Sequence, residues 1–184
     1  MAVNPFLIFG IPQKFCVDRD FIDKRFYTLS RENHPDRFAT QATDIKQAAL
    51  KKMSEINEAY QTLIDEDARR EALLEINGHK KEENSKKPTL PVELAEEWFE
   101  LQDKVMESDG SQALTLLQNF ESQLVERNMK LKQTVLDLEK QWDSSTEGNS
   151  QNEIAQKISK KITDQSYLKS LLKDVERLKL RFKL

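Results

Sequence analysis

Hydrophobic residues recur at helical spacing along most of the chain. In the first part, the apolar stripes predict four helices: a short one over 5–9, one that opens at Asp18 or Asp20 and ends before His34, one over about 41–64, and a short one that ends at Gly78. The apolar face of the second of these helices is predicted to carry Phe21, Ile22, Arg25, Phe26 and Leu29, and that of the third to start at Ile45.

The second part of the chain has three longer amphipathic stretches. The first of them repeats apolar residues at a 4-3-4 spacing, with Leu94, Trp98, Leu101 and Val105 predicted to point inward. Polar turns near 108–111 and 144–150 separate the three stretches, and short loops favour an up-down-up three-helix bundle. Residues 79–91 are polar and proline-containing, which is typical of a linker. The pattern therefore predicts an all-α chain with one domain over 1–78, a linker over 79–91 and a second domain over 92–184.

Composition and charge narrow the classes of partner. The chain has 184 residues, of which 29 are basic and 32 acidic, giving a net charge of −3 with both signs mixed throughout. Nucleic-acid-binding domains usually carry a basic stripe, so we expect no nucleic-acid partner. A membrane span needs about 18 consecutive apolar residues, and the sequence contains no such run, so we expect no membrane partner.

The chain is poor in side chains that bind metals through sulfur or imidazole. It has one cysteine, Cys16, and two histidines, His34 and His79. A single cysteine excludes an internal disulfide, and three Cys/His ligands fall short of the four that structural zinc sites normally use. We therefore expect no Cys/His zinc site, while a carboxylate site stays open at this point, and we predict no metal-binding residue and no cofactor.

The tripeptide His34-Pro35-Asp36 is the segment of the sequence whose side chains indicate a function most clearly. Proline restricts its own backbone and that of the residue before it, so the loop is stiff and presents an imidazole and a carboxylate beyond two helices. A carboxylate held in this way can accept a guanidinium from a partner protein. The same tripeptide also occurs in plain turns. General-base catalysis is a third interpretation, but no nucleophile stands near the tripeptide in the sequence and we predict no catalytic residue.

Several motifs resemble those of HscB-type J-domain co-chaperones of iron–sulfur cluster biogenesis. Residues 6–12 are similar to the family's opening F-x-L-F-G-L-P, and residues 25–39 to its R-F-x-x-L-x-R-x-x-H-P-D-K/R-F-A. Residues 56–63 are similar to I-N-x-A-Y/W-x-T-L. The resemblance implies an all-α fold, in which an N-terminal J-domain, a helical hairpin with short flanking helices, is joined to a C-terminal three-helix bundle.

The resemblance also implies partners and binding residues. The J-domain would stimulate ATP hydrolysis by a chaperone of the DnaK/HscA type. The residues expected to contact the chaperone are His34, Pro35, Asp36, Lys24, Arg25, Arg31 and Arg37. A plain solvated helix face is the alternative for the basic residues among them.

The bundle would bind an IscU-type iron–sulfur scaffold protein. Aligning Phe99-Glu100-Leu101 with the family's L/M-E-L places the scaffold-binding patch on Ala95, Glu96, Phe99, Glu100, Asp103 and Tyr167. A leucine-methionine pair of the family is replaced here by Ala95-Glu96. The alternative for the first helix of the bundle is the opposite phase, with Phe99 in the core and Trp98 exposed.

Three rival functions stay open at this point. They are a general J-domain protein whose bundle binds a different client, a hydrolase that uses His34 and Asp36, and a purely structural helical protein. The start of the chain lacks early basic residues and the cysteine-rich segment of eukaryotic relatives, so we expect a bacterial, cytoplasmic protein.

Overall fold

The first four helices of the computed structural model follow the predicted order. The structure describes residues 4–79, 91–146 and 148–182, and within these ranges it contains helices and turns but no strand. The prediction of an all-α fold is thereby confirmed. The helices of the first part are α1 (Pro5–Phe9), α2 (Arg19–Asn33), α3 (Thr43–Ile64) and α4 (Glu66–Ile76), and a 3-10 turn covers Pro35–Phe38.

Capping residues explain where α1 and α2 begin and end. The Asn4 side chain accepts hydrogen bonds from the backbone N–H groups of the first turn of α1, the shortest being 3.0 Å to Phe6. Gly10 ends α1 in the left-handed region at φ 63°, which a side chain would disfavour. Asp18, one of the two expected starts, caps α2 by accepting from the N–H of Phe21 at 3.2 Å.

Helices α2 and α3 pack against each other through an aromatic stack. The rings of Phe26 and Tyr60 lie 4.1 Å apart, centroid to centroid. The Tyr60 hydroxyl donates a hydrogen bond to Asp23 Oδ1 at 2.9 Å, and this bond to a carboxylate raises the pKa of Tyr60 above its usual value. Beneath the stack lies an apolar core that includes Phe6, Phe9, Ile22, Ile56 and Leu63.

Some stripe residues of this part are more exposed than predicted, and the most exposed of the large ones are Phe21 and Ile45. Phe21 and Ile45 were expected on inward faces, but their side chains are 51% and 41% exposed. Both stand in the first turn of their helices, where the helix has fewer neighbours to cover them. Helix α3 also begins at Thr43 rather than near residue 41, because the backbone leaving the 3-10 turn makes a further turn bond from Gln41 N to Phe38 O.

The remaining three helices are α5 (Val92–Glu107), α6 (Gly110–Ser144) and α7 (Gly148–Leu180). They share one apolar core, to which α5 contributes Leu94, Leu101 and Val105, α6 contributes Ala113, Leu117, Phe120 and Leu124, and α7 contributes Leu168, Leu171 and Val175.

Neighbouring helices of this bundle are joined by short connections and linked by ion pairs, as in antiparallel hairpins. Glu97, in the first half of α5, pairs with Arg127 in the middle of α6 at 2.8 Å. Glu121, early in α6, pairs with Lys179 near the end of α7 at 2.6 Å. Each pair joins an early position of one helix to a later position of the next.

The chain divides into two compact units at places that the sequence pattern does not mark. One unit combines residues 1–81 with 139–155, and the other combines 82–138 with 156–184. Residues 139–155, the end of α6 and the start of α7, were assigned to the second domain but group with the first part of the chain. The expected linker over 79–91 lies outside the described residues except for its ends, His79 and Pro91.

A buried polar network joins residues 139–155 to the first part of the chain. Arg70 of α4 is buried, donates from Nε to the buried Glu139, and donates from Nη1 to Asp67 at 2.6 Å. The two carboxylate oxygens of Asp143 accept the backbone N–H groups of Phe15 and Cys16, each at 2.8 Å.

An aromatic contact accompanies this network. Phe15, which is buried, meets the ring of Trp142 edge-on at 5.1 Å. The edge-to-face geometry is one that aromatic pairs prefer, and it adds apolar burial beside the ion pair.

We expect Glu139→Ala to lower the free energy of unfolding by about 3 kcal/mol, because it removes the buried partner of Arg70 and leaves only the more exposed Asp67 to compensate that charge. Arg19→Ala is the control, since it removes an exposed i,i+4 pair with Asp23 and should cost no more than about 0.5 kcal/mol. Urea denaturation followed by circular dichroism measures both. If both variants lowered the free energy of unfolding equally, the Arg70–Glu139 pair would contribute no more than an exposed pair.

Candidate functional site

The loop between α2 and α3 holds His34, Pro35 and Asp36 together in one short segment. Because His34 precedes a proline, it adopts an extended backbone (φ −61°, ψ 130°) and α2 ends at Asn33. Pro35 opens the 3-10 turn, which is closed by hydrogen bonds from Arg37 N to His34 O at 3.0 Å and from Ala39 N to Asp36 O at 3.2 Å. The corner is therefore held by its own backbone.

The side chains of the corner face solvent. The His34 ring is 53% exposed and the Asp36 carboxylate 90% exposed. His34 Nδ1 accepts a hydrogen bond from the Asp36 backbone N–H at 3.3 Å and lies 3.6 Å from Asp36 Oδ2. The backbone hydrogen bond to Nδ1 fixes the imidazole beside Asp36, and the highly exposed carboxylate can accept a cation from outside.

The four predicted basic residues divide into two groups. Lys24 and Arg31 are exposed on α2. Arg25 is half-buried, and its Nε donates to the carbonyl oxygen of Phe9 at 3.2 Å, where it helps to end α1. Arg37 is exposed, but its Nη1 donates to the carbonyl oxygen of Arg31 at 3.2 Å and so helps to end α2. Besides carrying charge, Arg37 thus supports the corner and Arg25 supports the end of α1.

Tyr27 is an exposed aromatic that the sequence analysis did not single out. Its side chain is 73% exposed on α2, three residues after Lys24 and four before Arg31. Residues at this spacing share one helix face. The signal was present in the sequence, because Tyr27 falls outside the predicted apolar stripe and is a large aromatic left facing water.

The patch predicted on the bundle lies mostly on the outer face of α5. Phe99 is 64% exposed, whereas Trp98 is half-buried and stacks on Phe120 with ring centroids 6.0 Å apart. The alternative phase, with Phe99 in the core and Trp98 exposed, is therefore wrong. Glu96, Glu100 and Asp103 are exposed around Phe99.

The other two members of the predicted patch are less exposed. Ala95 on α5 and Tyr167 on α7 are both half-buried. Glu100 is also the acceptor of a long ion pair with Lys104 at 3.8 Å, within α5. The exposed part of the patch is thus an aromatic ring bordered by carboxylates.

The described residues also bear on metal and membrane binding. Within 4–79, 91–146 and 148–182, no three His, Cys, Asp or Glu side chains are grouped so that they could hold a metal ion. No helix in those ranges combines the length and the apolar character that crossing a bilayer requires.

The chain is similar to known proteins over most of its length. The DnaJ domain family matches residues 4–72. The co-chaperone protein HscB homolog of Haemophilus ducreyi is 34% identical, over 77% of this chain and 83% of that protein. The HscB homolog of Vibrio atlanticus is 30% identical, over 74% of this chain and 82% of that protein.

Two solved structures are similar over almost the whole chain. The chaperone HscB from Vibrio cholerae is 25% identical with a TM-score of 0.55, covering 97% of this chain and 98% of that one. Human co-chaperone protein HscB is 19% identical with a TM-score of 0.63, and the match covers 98% of this chain and 84% of the human chain. At this identity the match shows a similarity of fold alone. The resemblance in sequence motifs is thus matched over most of the chain, which belongs to the HscB family of J-domain co-chaperones.

Proposed function

We propose that this chain stimulates ATP hydrolysis by a DnaK/HscA-type chaperone and delivers an IscU-type iron–sulfur scaffold protein to it. The observation that carries the first half is the exposed His34 and Asp36 on a proline-stiffened corner, in a member of a co-chaperone family. The observation that supports the second half is Phe99 exposed among carboxylates on α5.

The chaperone-facing surface combines the corner with one face of α2. Lys24, Tyr27 and Arg31 stand on that face and are all exposed. Basic side chains draw the helix toward an acidic surface, while Tyr27 adds apolar contact area. Asp36 then has a different task, which is to accept a guanidinium or ammonium group of the chaperone.

The scaffold-facing surface uses the opposite charge. Phe99 supplies an apolar anchor of the kind that dominates protein interfaces, and Glu96, Glu100 and Asp103 favour a basic rim on the partner. Tyr167 on α7 is proposed as a further aromatic of this surface. Carrying both surfaces on one chain raises the effective concentration of scaffold at the chaperone, without any new contact between those two proteins.

The chain itself is proposed to hold no cluster and to catalyse no reaction. Clusters are held by several thiolates, and this chain has Cys16 alone. Partial desolvation of its sulfur, together with the nearby Asp143 carboxylate, raises the pKa of the Cys16 thiol, which disfavours the thiolate form. ATP would be hydrolysed by the chaperone. We place this activity in the cytoplasm of a bacterium, in keeping with the bacterial relatives.

Asp36→Asn is expected to reduce the stimulation of chaperone ATP hydrolysis at least ten-fold, because it removes the charge but keeps the shape of the side chain. His34→Gln should have the same effect. The measurement is steady-state ATPase of a DnaK/HscA-type chaperone with and without the chain. Glu58→Gln, which neutralises an exposed carboxylate of α3, is the matched control and should leave stimulation intact.

Undiminished stimulation by both corner variants would contradict the proposal. ATP or ester hydrolysis by the chain alone, lost on His34→Gln, would favour the hydrolase instead.

Substitutions at the neighbouring residues Lys24 and Arg25 are expected to affect different quantities, chaperone activation for Lys24 and stability of the fold for Arg25. Lys24→Ala should weaken activation of the chaperone ATPase several-fold with an unchanged melting temperature. Arg25→Ala should lower the stability of the fold by about 1 kcal/mol, because the carbonyl oxygen of Phe9 loses its charged donor. Thermal denaturation and the ATPase assay on both variants test this division. If Lys24→Ala lowered the melting temperature as much as Arg25→Ala, the two side chains would not be divided in this way.

Phe99→Ala is expected to weaken binding of an IscU-type scaffold about ten-fold or more, because an exposed aromatic anchor is lost. Phe21→Ala, which removes a phenylalanine that is 51% exposed on α2, serves as the matched control. Isothermal titration calorimetry with purified scaffold gives both dissociation constants. Retained affinity in Phe99→Ala, or equal loss in both variants, would favour a J-domain protein whose bundle binds a different client.

A further inference from the structure

Three exposed apolar side chains on α5 stand in one line. Val92 is 69% exposed, Phe99 64% and Met106 87%. They are spaced by seven residues, so at about 100° per residue each is turned only about 20° from the one before. With a rise of about 1.5 Å per residue, the line is about 20 Å long. We call these three residues the α5 strip.

The α5 strip has one acidic edge and one uncharged edge. Glu96 and Asp103 follow Val92 and Phe99 by four residues, which places them about 40° to one side. Ala95 and Gln102 follow by three residues and lie about 60° to the other side. Glu97 pairs with Arg127 of α6, so Glu96 and Asp103 supply the charge nearest the strip.

A line of large apolar side chains with a charged edge is the composition of a binding surface rather than of an ordinary solvated face. Residues 95 and 96, between Val92 and Phe99, are Ala and Glu, so they add no large apolar side chain. The apolar area of α5 lies instead one heptad on either side of Phe99.

We propose that Val92 and Met106 bind the scaffold protein together with Phe99, so that the docking surface extends along the whole outer face of α5. This inference rests on the proposed function and specifies the length and the charge distribution of the docking surface. The complementary surface of the scaffold presents apolar side chains in a line of about 20 Å, with lysine or arginine along one edge only. That asymmetry sets the direction in which the partner lies on α5.

The test compares two double variants of the full chain. Val92→Ala with Met106→Ala should weaken binding of a purified IscU-type scaffold at least ten-fold in calorimetry. Val125→Ala with Met129→Ala makes the same two changes at exposed positions of α6 in the same unit, and should stay within two-fold of the wild type. Alanine favours helix at all four positions, and circular dichroism confirms that each variant is folded.

The acidic edge has its own measurement. Glu96→Gln with Asp103→Asn should weaken scaffold binding about three-fold or more at 50 mM salt, and the difference from the wild type should vanish at 0.5 M salt, where charges are screened. A loss of affinity that persists at high salt would show that these carboxylates do not act by charge, and it would overturn the proposed role of the acidic edge.

The outcomes separate this inference from the proposed function. If Phe99→Ala weakens binding but the Val92/Met106 double variant does not, the extended strip is wrong and the smaller patch stands. If the wild-type chain does not bind the scaffold at all, both are overturned. If sedimentation shows a dimer that the Val92/Met106 variant abolishes while scaffold binding is unchanged, the strip binds a second copy and the inference is likewise overturned.

Discussion

The ring of Pro35 disfavours helical geometry in the residue before it, and His34 accordingly adopts an extended backbone. This single constraint ends α2 at Asn33 and turns the chain through a 3-10 segment into α3. The stack of Phe26 on Tyr60 then holds the two helices together. An imidazole and a carboxylate are left outside the packed helices, where no core contact competes for them. The proposed activity depends on that exposure.

Much of the fold could be predicted from local signals. Asn4-Pro5 and Gly10 mark the ends of α1 because a side-chain cap, a proline at the first helical position and a left-handed glycine each act within one turn. The phase of α5 followed from the spacing of Leu94, Leu101 and Val105, all of which are buried. Fold and corner were thus readable because the responsible interactions lie close together in the sequence.

The grouping of residues 139–155 with the first part of the chain could not be read in this way. Its ion pair joins Arg70 to Glu139, 69 residues apart, and its clearest hydrogen bonds run from backbone N–H groups to Asp143. Backbone donors leave no mark on a sequence. One clue was available: Glu139 lies at core spacing between Val135 and Trp142, where a carboxylate needs a buried partner. Periodicity shows that such a partner is required but not which residue supplies it.

The positions of the two candidate surfaces depend to different degrees on packing between distant residues. The corner is a contiguous tripeptide, so its placement depends on few interactions. The bundle surface depends on helix phase and on which apolar residues the core leaves uncovered, so the large exposures of Val92 and Met106 emerge only from the packed structure. Opposite charge on the two surfaces, basic on α2 and acidic on α5, suits them to different partners.

Hydrogen–deuterium exchange of the full chain, measured separately with the chaperone and with the scaffold, shows whether the two proteins bind two separate surfaces. We expect the chaperone to slow exchange in α2 and in residues 34–38, and the scaffold to slow exchange in α5 while the corner stays unchanged. Protection of the same segments by both proteins, or no protection of the corner by the chaperone, would contradict this expectation.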